Sequence, residues 1–289
     1  MGKQDSPILV TGAGVTGGEV LRQLRQAEIA ARTMVRDPEK AEPFAKLGVE
    51  IFEGDFAEAK SWDGALSGVE KVFAITSSHP QAQAWFGLLL QAAKKAGVHH
   101  VVKLSGWRVS PTSEAKVHRE MAGSDEVLRQ SGLGHTILRP NVFFQNMLMM
   151  AGPIRTESRF RSAARDARIS MIDVRDIAAV AVKVLSGGDH FGKIYDMSGP
   201  ETLTYFDVAR FLSQALGREV TYEPLDVETA VRNQIAAGIP EEVARGRVGI
   251  HASFASGVFA PTSDLVQTVL GHPPRSFARF AADYLETFR

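Results

Sequence analysis

The sequence begins with a short apolar stretch, Ile8–Val10, that leads directly into a glycine-rich turn and then into apolar residues at helical spacing. The turn carries glycines in the spacing G-x-G-x-x-G, at Gly12, Gly14 and Gly17. The first glycine permits a tight turn, the second lets the backbone approach a pyrophosphate, and the third lets helix and strand pack closely. A strand, this turn and a helix in this order predict a Rossmann-type dinucleotide site, with phosphates at the helix N-terminus. The alternative is a glycine-rich turn without a ligand.

Strands and helices alternate through the first half of the chain. After Ile8–Val10, the predicted strands are Ile29–Val35, Val49–Phe52, Lys71–Ile75, Val101–Leu104 and Thr136–Leu138. A helix over residues 81–96, closed by Gly97, and a second helix ending near Gly132 separate the later strands. This alternation predicts βαβ units, and therefore an α/β fold with a doubly wound parallel sheet covered by helices on both faces.

The pattern changes after Pro140. Residues 155–168 include five arginines and predict a surface excursion. Further predicted elements are strands at Ile169–Val174, Lys193–Met197 and Val220–Tyr222, helices at Ile177–Leu185, Phe206–Leu216 and Phe277–Phe288, and a capping box at Thr204 and Asp207. We expect a Rossmann domain over residues 1–150, to which a strand from about 169–198 returns, and a smaller C-terminal α/β lobe over 151–289 that binds the substrate.

The composition excludes several classes of protein. The 289 residues include 33 basic and 33 acidic side chains, so no net charge attracts the chain to nucleic acid or to an anionic membrane. The absence of cysteine excludes disulfides, a thiolate nucleophile and a sulfur-ligated zinc. His99 and His100 precede a strand and are typical of turn residues, and no acidic residue lies near them in the sequence to complete a metal site. The apolar stretches are too short to span a bilayer and no signal peptide precedes them, so we expect a cytoplasmic protein.

The residues that follow the second predicted strand bear on the choice of dinucleotide. An acidic residue at this place usually holds the ribose 2′-hydroxyl of NAD. Here Val35 is followed by Arg36, with Lys40 one helical turn later, and two cations suit the 2′-phosphate of NADP. Asp37 could instead face the hydroxyl, and the whole group could be a solvated charge cluster. We expect NADP(H) to be preferred over NAD(H).

Polar and aromatic residues follow the third and fourth predicted strands. Asp55 and Phe56 would lie at the carboxyl edge of the sheet, where an adenine binds. Thr76, Ser77 and Ser78 would lie nearer the nicotinamide. Asp55 could equally cap a helix, and the hydroxyls could be turn residues.

Five stretches, in this order along the chain, resemble one known family. They are Thr11–Gly17, residues 35–40, Gly54-Asp55, residues 131–140 and residues 172–177. On these stretches the chain is similar to the NmrA-like, atypical short-chain dehydrogenases/reductases, which include quinone and dye reductases. The resemblance implies an NADP-binding Rossmann domain with a small substrate lobe, Arg36 at the 2′-phosphate, the Thr76–Ser78 loop beside the nicotinamide ribose, and Pro140 and Asn141 shaping the nicotinamide pocket.

The catalytic pair of the standard short-chain dehydrogenases, Tyr-x-x-x-Lys, is absent. The four tyrosines lie at position 195 or later, and the residue four before Lys116 is Thr112. Ser105 ends the fifth predicted strand, where its hydroxyl would face the nicotinamide, and His118 in the following helix is a candidate proton donor. A solvated lysine and a surface or capping histidine are the alternatives for Lys116 and His118. Ser105, Lys116 and His118 are the candidate catalytic residues, and no metal is expected.

The complete set of expected cofactor contacts combines these interpretations. It consists of Gly12, Gly14, Val15, Thr16, Gly17, Arg36, Lys40, Asp55, Phe56, Thr76, Ser77, Ser78, Ser105, Lys116, Pro140 and Asn141.

Hydride transfer to a quinone does not require a general acid, because the product oxygen can take its proton from water and the enzyme supplies mainly proximity and orientation. Trp107, Phe143 and Phe144 suit a flat aromatic substrate, or simply form core. We expect an NADPH-dependent oxidoreductase that transfers hydride to a quinone-like or other conjugated electrophilic small molecule. The alternative is a non-catalytic NADP(H)-binding redox sensor that regulates a protein partner. An isomerase that works by transient oxidation is disfavoured by the missing tyrosine.

Overall fold

The computed structural model describes residues 6–76, 79, 81–113 and 115–289. The chain forms two compact units. The first comprises Met1–Pro140 and Val174–Asp196, and the second comprises Asn141–Asp173 and Met197–Arg289. The division into domains at residue 150 stays a prediction.

Within the described residues, seven strands form one sheet in the order β3-β2-β1-β4-β5-β6-β8, and two more strands, β7 and β9, pair separately. These strands are β1 (Ile8–Val10), β2 (Ala31–Val35), β3 (Glu50–Glu53), β4 (Lys71–Ile75), β5 (His100–Leu104), β6 (Gly134–Pro140), β7 (Arg159–Ser162), β8 (Lys193–Met197) and β9 (Thr221–Pro224). Strands β1 to β6 pair in parallel. The strand order reverses direction between β1 and β4, which is where doubly wound sheets bind their ligands. The predicted α/β fold is confirmed.

Helices connect these strands and make up most of the second unit. They are α1 (Val15–Gln26), α2 (Glu42–Ala45), α3 (Ser61–Ala65), α4 (Ala82–Ala96), α5 (Lys116–Gln130), α6 (Ala151–Glu157), α7 (Val174–Ser186), α8 (Tyr205–Leu216), α9 (Val227–Ala236), α10 (Glu241–Ser253), α11 (Leu265–Leu270), α12 (Phe277–Asp283) and α13 (Leu285–Phe288). Within the described ranges, none of them combines the length and the apolar composition that crossing a bilayer requires.

The main core of the first unit lies on one face of the large sheet. Leu9, Val72 and Val101 on the strands pack there with Phe86 and Leu89 of α4. Helix α1 packs against α7, and the Gln23 side chain donates a hydrogen bond to the carbonyl of Arg175 (3.0 Å). Since α4 and α1 follow strands of the same sheet, this packing fixes where each helix begins at the carboxyl edge.

Two local signals predicted helix ends correctly. Gly97 closes α4 in the left-handed conformation, with φ of 84°. The Thr204 hydroxyl and the Asp207 carboxylate form the predicted capping box at the start of α8. Both signals depend only on residues close in sequence, so tertiary packing did not override them.

The segment rich in arginine was predicted wrongly. Residues 159–162 form strand β7, which pairs in parallel with β9, and its Phe160 and Ser162 are buried. Ile169–Val174 was predicted as a strand, yet only Ile169 and Ile172 make isolated bridges, and Val174 starts α7. The Ser170 hydroxyl bonds to the carbonyls of Phe259 and Pro261, so this segment is held by a loop of the same unit rather than by a strand ladder.

Candidate functional site

A cleft of about 490 Å³ opens where β1, β2, β3 and β4 end. Five of the residues that line it were expected to contact a cofactor: Gly12, Arg36, Asp55, Phe56 and Thr76. Because parallel strands place their carboxyl ends at one edge, residues distant in the sequence meet there. Ser77 and Ser78, also expected here, lie outside the described residues.

The glycine turn forms the end of the cleft next to α1. Gly12 has φ of 130°, a conformation that side chains rarely adopt, and a Cβ at Gly17 would lie 2.0 Å from the Gly12 carbonyl oxygen. A Cβ at Gly14 would meet no protein atom within 4 Å. The backbone conformation therefore favours glycine at position 12 and the packing requires it at position 17, whereas position 14 borders open space.

Helix α1 begins beside this open space. Gly14 is its N-cap residue and has no side chain that could cap the helix. Of the first two helical residues, Val15 is 64% exposed and Thr16 is buried. The N-terminal N–H groups and the positive end of the helix dipole favour an anion at this place.

Thr11 joins the two strands at the reversal of the sheet order, a role the sequence did not reveal. Its hydroxyl accepts a hydrogen bond from the Ile75 amide (2.8 Å) and donates one to the Ile75 carbonyl (3.2 Å). The Thr11 amide also donates to the Phe73 carbonyl (3.0 Å). These bonds fix the carboxyl ends of β1 and β4 next to each other under the cleft.

Arg36 and Lys40 have different surroundings. Lys40 pairs with the Asp37 carboxylate (2.9 Å) and is 84% exposed. Asp37 also accepts a hydrogen bond from the Glu39 amide (3.2 Å), and the Lys40 ammonium holds the pKa of this carboxyl below its usual range. Arg36 lines the cleft, is exposed, and makes no ion pair within the described part of the chain. The guanidinium is therefore available to an anion, while Asp37 is already engaged by Lys40.

Asp55 and Phe56 organise the loop after β3. The Asp55 carboxylate accepts a hydrogen bond from the Ala57 amide (2.9 Å), so it stabilises a turn rather than capping α3, which begins at Ser61. Phe56 packs edge-on against Trp62, with 4.8 Å between ring centroids. Both residues still line the cleft.

Ser105 lies just beyond β5 and is 6% exposed. Its amide donates to the Leu138 carbonyl (2.7 Å), whereas its hydroxyl is buried and has no hydrogen-bond partner among the described residues. An unsatisfied buried hydroxyl costs stability and calls for an explanation.

Lys116 and His118 lie in the first turn of α5. The Lys116 ammonium is 3.7 Å from the Glu120 carboxylate and its side chain is 69% exposed. The His118 Nδ1 is 3.4 Å from the Ser113 hydroxyl, and burial lowers the pKa of this imidazole below its usual value. A neutral imidazole is a poorer proton donor at pH 7. The catalytic roles of both residues stay predictions.

Pro140 ends β6 in the first unit, and Asn141 begins the second. The Asn141 amide group donates to the Ser170 hydroxyl (2.8 Å) and the Phe259 carbonyl (2.9 Å), and its oxygen accepts from the Val142 amide (2.8 Å). These bonds hold the Asn141 side chain within its own unit. A contact of either residue with a cofactor stays a prediction.

Two of the three aromatic residues proposed for a flat substrate are core. Trp107 and Phe144 are buried, and Phe144 packs against Phe277 and Phe280 at centroid distances of 5.1 and 5.5 Å. Phe143 is partly buried.

A buried cluster of three charges, which the sequence did not reveal, supports strands β5 and β6. The Asp125 carboxylate accepts hydrogen bonds from Lys103 Nζ (2.8 Å) and from Arg139 Nε and Nη2 (3.0 and 2.8 Å). The Lys103 and Asp125 side chains are 0% and 2% exposed, and burial lowers the pKa of Lys103. Lys103 belongs to β5, the strand that Ser105 follows, and Arg139 belongs to β6.

Comparisons with known proteins match this chain to one protein family. The model of the NmrA-like family matches residues 4–257. NAD(P)H azoreductase of Xenophilus azovorans is 35% identical over 281 residues, covering 97% of this chain and 98% of that protein. Quinone oxidoreductase 2 of Escherichia coli is 29% identical over 277 residues, covering 94% and 96%. The crystal structure of an NADPH-dependent quinone oxidoreductase from Escherichia coli in complex with NADPH superimposes with a TM-score of 0.87 at 27% identity, covering 96% of this chain and 99% of that one.

Proposed function

The chain belongs to the NmrA-like family, as its motifs suggested, and we propose that it is an NADPH-dependent oxidoreductase that reduces a quinone-like or other conjugated electrophilic small molecule. The cleft at the end of β1 to β4 carries the proposal, because Arg36 lines it and makes no ion pair within the described part of the chain. The names and NADPH-bound structure of the relatives agree with it.

Three features of the cleft fit a dinucleotide with a 2′-phosphate. The uncapped start of α1 and the open space at Gly14 suit the pyrophosphate. Arg36 follows β2, where the adenosine ribose lies in this fold, and its planar guanidinium can grip a phosphate at two points. Asp37 is held by Lys40, which disfavours it as the ligand of a ribose hydroxyl.

NADPH, when bound, supplies the hydride. The contribution of the chain is then to hold and orient the reactants and to exclude water. In this proposal Ser105, which follows β5, donates a hydrogen bond from its hydroxyl to the nicotinamide half or to the oxygen of the acceptor. The proposal is supported by the buried hydroxyl of Ser105, which has no hydrogen-bond partner among the described residues.

The function is tested by mixing the purified protein with NADPH and following the cofactor fluorescence before and after addition of a simple quinone. We expect an enhanced signal on binding, followed by decay over many turnovers. A signal that persists through a broad panel of acceptors would favour the sensor that binds NADP(H) without turnover, for which the missing Tyr-x-x-x-Lys pair is the supporting observation.

Replacing Arg36 by alanine should weaken the binding of NADPH far more than the binding of NADH. Loss of charge-assisted hydrogen bonds to a phosphate corresponds to about 1.5–3 kcal/mol, or roughly 10- to 100-fold in Kd for NADPH. NADH lacks the 2′-phosphate, so its Kd should change by less than about threefold. Titration calorimetry with both cofactors measures the difference. An equal loss of affinity for both cofactors in Arg36→Ala would contradict the 2′-phosphate assignment.

Replacing Ser105 by alanine should lower kcat without lowering stability. Removal of a buried hydroxyl that has no partner leaves the free energy of unfolding unchanged or raises it by up to about 1 kcal/mol. Loss of a hydrogen bond that acts during the reaction should reduce kcat by roughly 10-fold or more. Steady-state kinetics and thermal melting of the same sample measure both effects. Unchanged kcat would remove Ser105 from the catalytic residues.

A further inference from the structure

His100 lies at the amino edge of the large sheet, at the opposite end of the strands from the cleft. The sequence placed it in a turn, but it is the first residue of β5 and is 1% exposed. Its Nε2 lies 2.9 Å from the Thr136 hydroxyl, which donates its own hydrogen to the carbonyl of His190 (2.7 Å). Nε2 therefore carries the ring hydrogen, and Nδ1 is the bare nitrogen. Nδ1 is buried and has no hydrogen-bond partner among the described residues.

The loop of residues 187–192, which we call the edge loop, closes over this ring between α7 and β8. The Gly192 amide donates a hydrogen bond to the carbonyl of His135 on β6 (2.7 Å). The Phe191 ring lies 4.6 Å from the ring of His100, measured between centroids. The edge loop is thus held on β5 and β6 by contacts on both sides of His100.

The edge loop and β8 can separate from the sheet without breaking another strand pair. β8 is the last strand of the large sheet and, within the part of the chain that the structure describes, has β6 as its one neighbour. Phe191 and Ile194 are 50% and 42% exposed, so little apolar surface holds this segment in place. Segments with few buried apolar contacts open locally at a lower free energy than the rest of a domain.

The groups that face His100 are cationic or become cationic in acid. They come from the strand on either side, from the preceding residue and from the edge loop, and they are Lys71, His135, His99 and His190. Burial, together with these charges, lowers the pKa of His100 from 6.5 to about 4. Protonation would place a hydrogen on Nδ1, where no acceptor lies within the described ranges.

The carboxylates in this region act on other groups. Burial lowers the pKa values of Lys71 and His190, and the charges of Glu70 and Asp189 respectively oppose this effect. The Lys71 ammonium donates a hydrogen bond to a backbone carbonyl at the end of α7 (2.6 Å), and Lys71 pairs with His100 in the register of β4 and β5. A proton on His100 would therefore add a buried positive charge beside a cation, without an acidic partner.

We propose that His100 is an acid-sensitive switch: protonation of its Nδ1 releases the edge loop and β8 from β6. This inference is independent of the proposed cofactor and reaction. In the released form the ring is solvated and has the ordinary pKa of 6.5. Because the pKa is lower in the closed form, closure is fully stable above pH 6.5 and loses stability as the pH falls from about 6.5 to about 4. The equilibrium constant for release should be roughly 30-fold higher at pH 5 than at pH 7.5.

The test is hydrogen exchange measured by mass spectrometry at pH 7.5 and pH 5, with rates corrected for the pH dependence of exchange in an unstructured peptide. His100→Gln keeps an N–H that can bond to Thr136 but cannot take up a proton. For a peptide covering residues 187–196, the equilibrium constant for release should rise roughly 30-fold in the wild type and less than about fivefold in His100→Gln, where His190 still titrates. His99→Gln is the matched control, because His99 is exposed, and it should respond to pH like the wild type.

An equal rise in the wild type and in His100→Gln would overturn the inference, as would unchanged protection of residues 187–196 in the wild type at pH 5. A peptide covering β1 and β2 is an internal reference that needs no variant. It should stay protected at pH 5, because release of the edge loop leaves these two strands paired. An equal increase in both peptides of the wild type would indicate unfolding of the whole first unit and would also overturn the inference. This comparison decides the question even where thermal melting shows that His100→Gln does not fold.

Discussion

A single methyl group at position 17 should destabilise the protein strongly. The Cβ of Gly17→Ala would lie 2.0 Å from the Gly12 carbonyl oxygen and 3.0 Å from Ile75 Cδ1, and the first of these atoms belongs to the backbone. Helix α1 must therefore move away from the end of β1. Forced overpacking of this kind costs about 3 kcal/mol, and we expect a lower melting temperature together with loss of NADPH binding.

Gly14→Ala is the matched control for this variant. A Cβ at position 14 meets no protein atom within 4 Å, and the backbone there is extended, with φ of −72°, which any residue adopts. The melting temperature should stay within about 2 °C of the wild type, corresponding to less than 1 kcal/mol. NADPH affinity should fall roughly tenfold or more, because the methyl group would occupy the space next to the helix N-terminus. Normal affinity in a folded Gly14→Ala protein would contradict the pyrophosphate assignment.

These two glycines show what the sequence can and cannot predict. Their spacing predicted the turn, because strand, turn and helix are contiguous and each preference is local. For the same reason the sequence predicted β4 and β8 with their observed ends. It also placed Arg36 and Phe56 after strands, and parallel topology then brought them to one cleft.

Features that depend on distant partners were missed. Strand β7 is held by its pairing with β9 about sixty residues later, where Glu223 binds Arg159 and Arg161 (2.6 and 2.7 Å). Its arginines alone suggested a solvated loop. Helical periodicity also does not distinguish a residue that lines a cleft, such as Trp85, from one that packs against a sheet.

The charge cluster at Asp125 was beyond prediction for a similar reason. Lys103 lies in the predicted strand Val101–Leu104, and its counter-ion is 22 residues away on α5. No local rule states which carboxylate a buried lysine will meet. The effect of removing Asp125 on the free energy of unfolding can be predicted only when the burial of the three side chains and the distances between them are known.

Replacing Asp125 by asparagine should lower the free energy of unfolding by about 3–5 kcal/mol, since it removes the counter-charge of a fully buried ion pair. The side chain keeps its shape, but Lys103 and Arg139 are left as neighbouring cations, and Lys103 is 0% exposed. Thermal and denaturant unfolding measure the change. The double variant Asp125→Asn with Lys103→Met should recover part of the loss, because only Arg139, which is 18% exposed, then stays charged.

Glu126→Gln is the matched control, one residue further along the same helix. Glu126 pairs with Arg129 at 2.6 Å, yet the two side chains are 49% and 54% exposed. Exposed pairs contribute about 0–1 kcal/mol, so this variant should unfold almost like the wild type although its ion pair is shorter. Burial, and not the distance between the charged atoms, would then account for the difference. An Asp125→Asn protein that unfolds like Glu126→Gln would show that the cluster is dispensable for the fold.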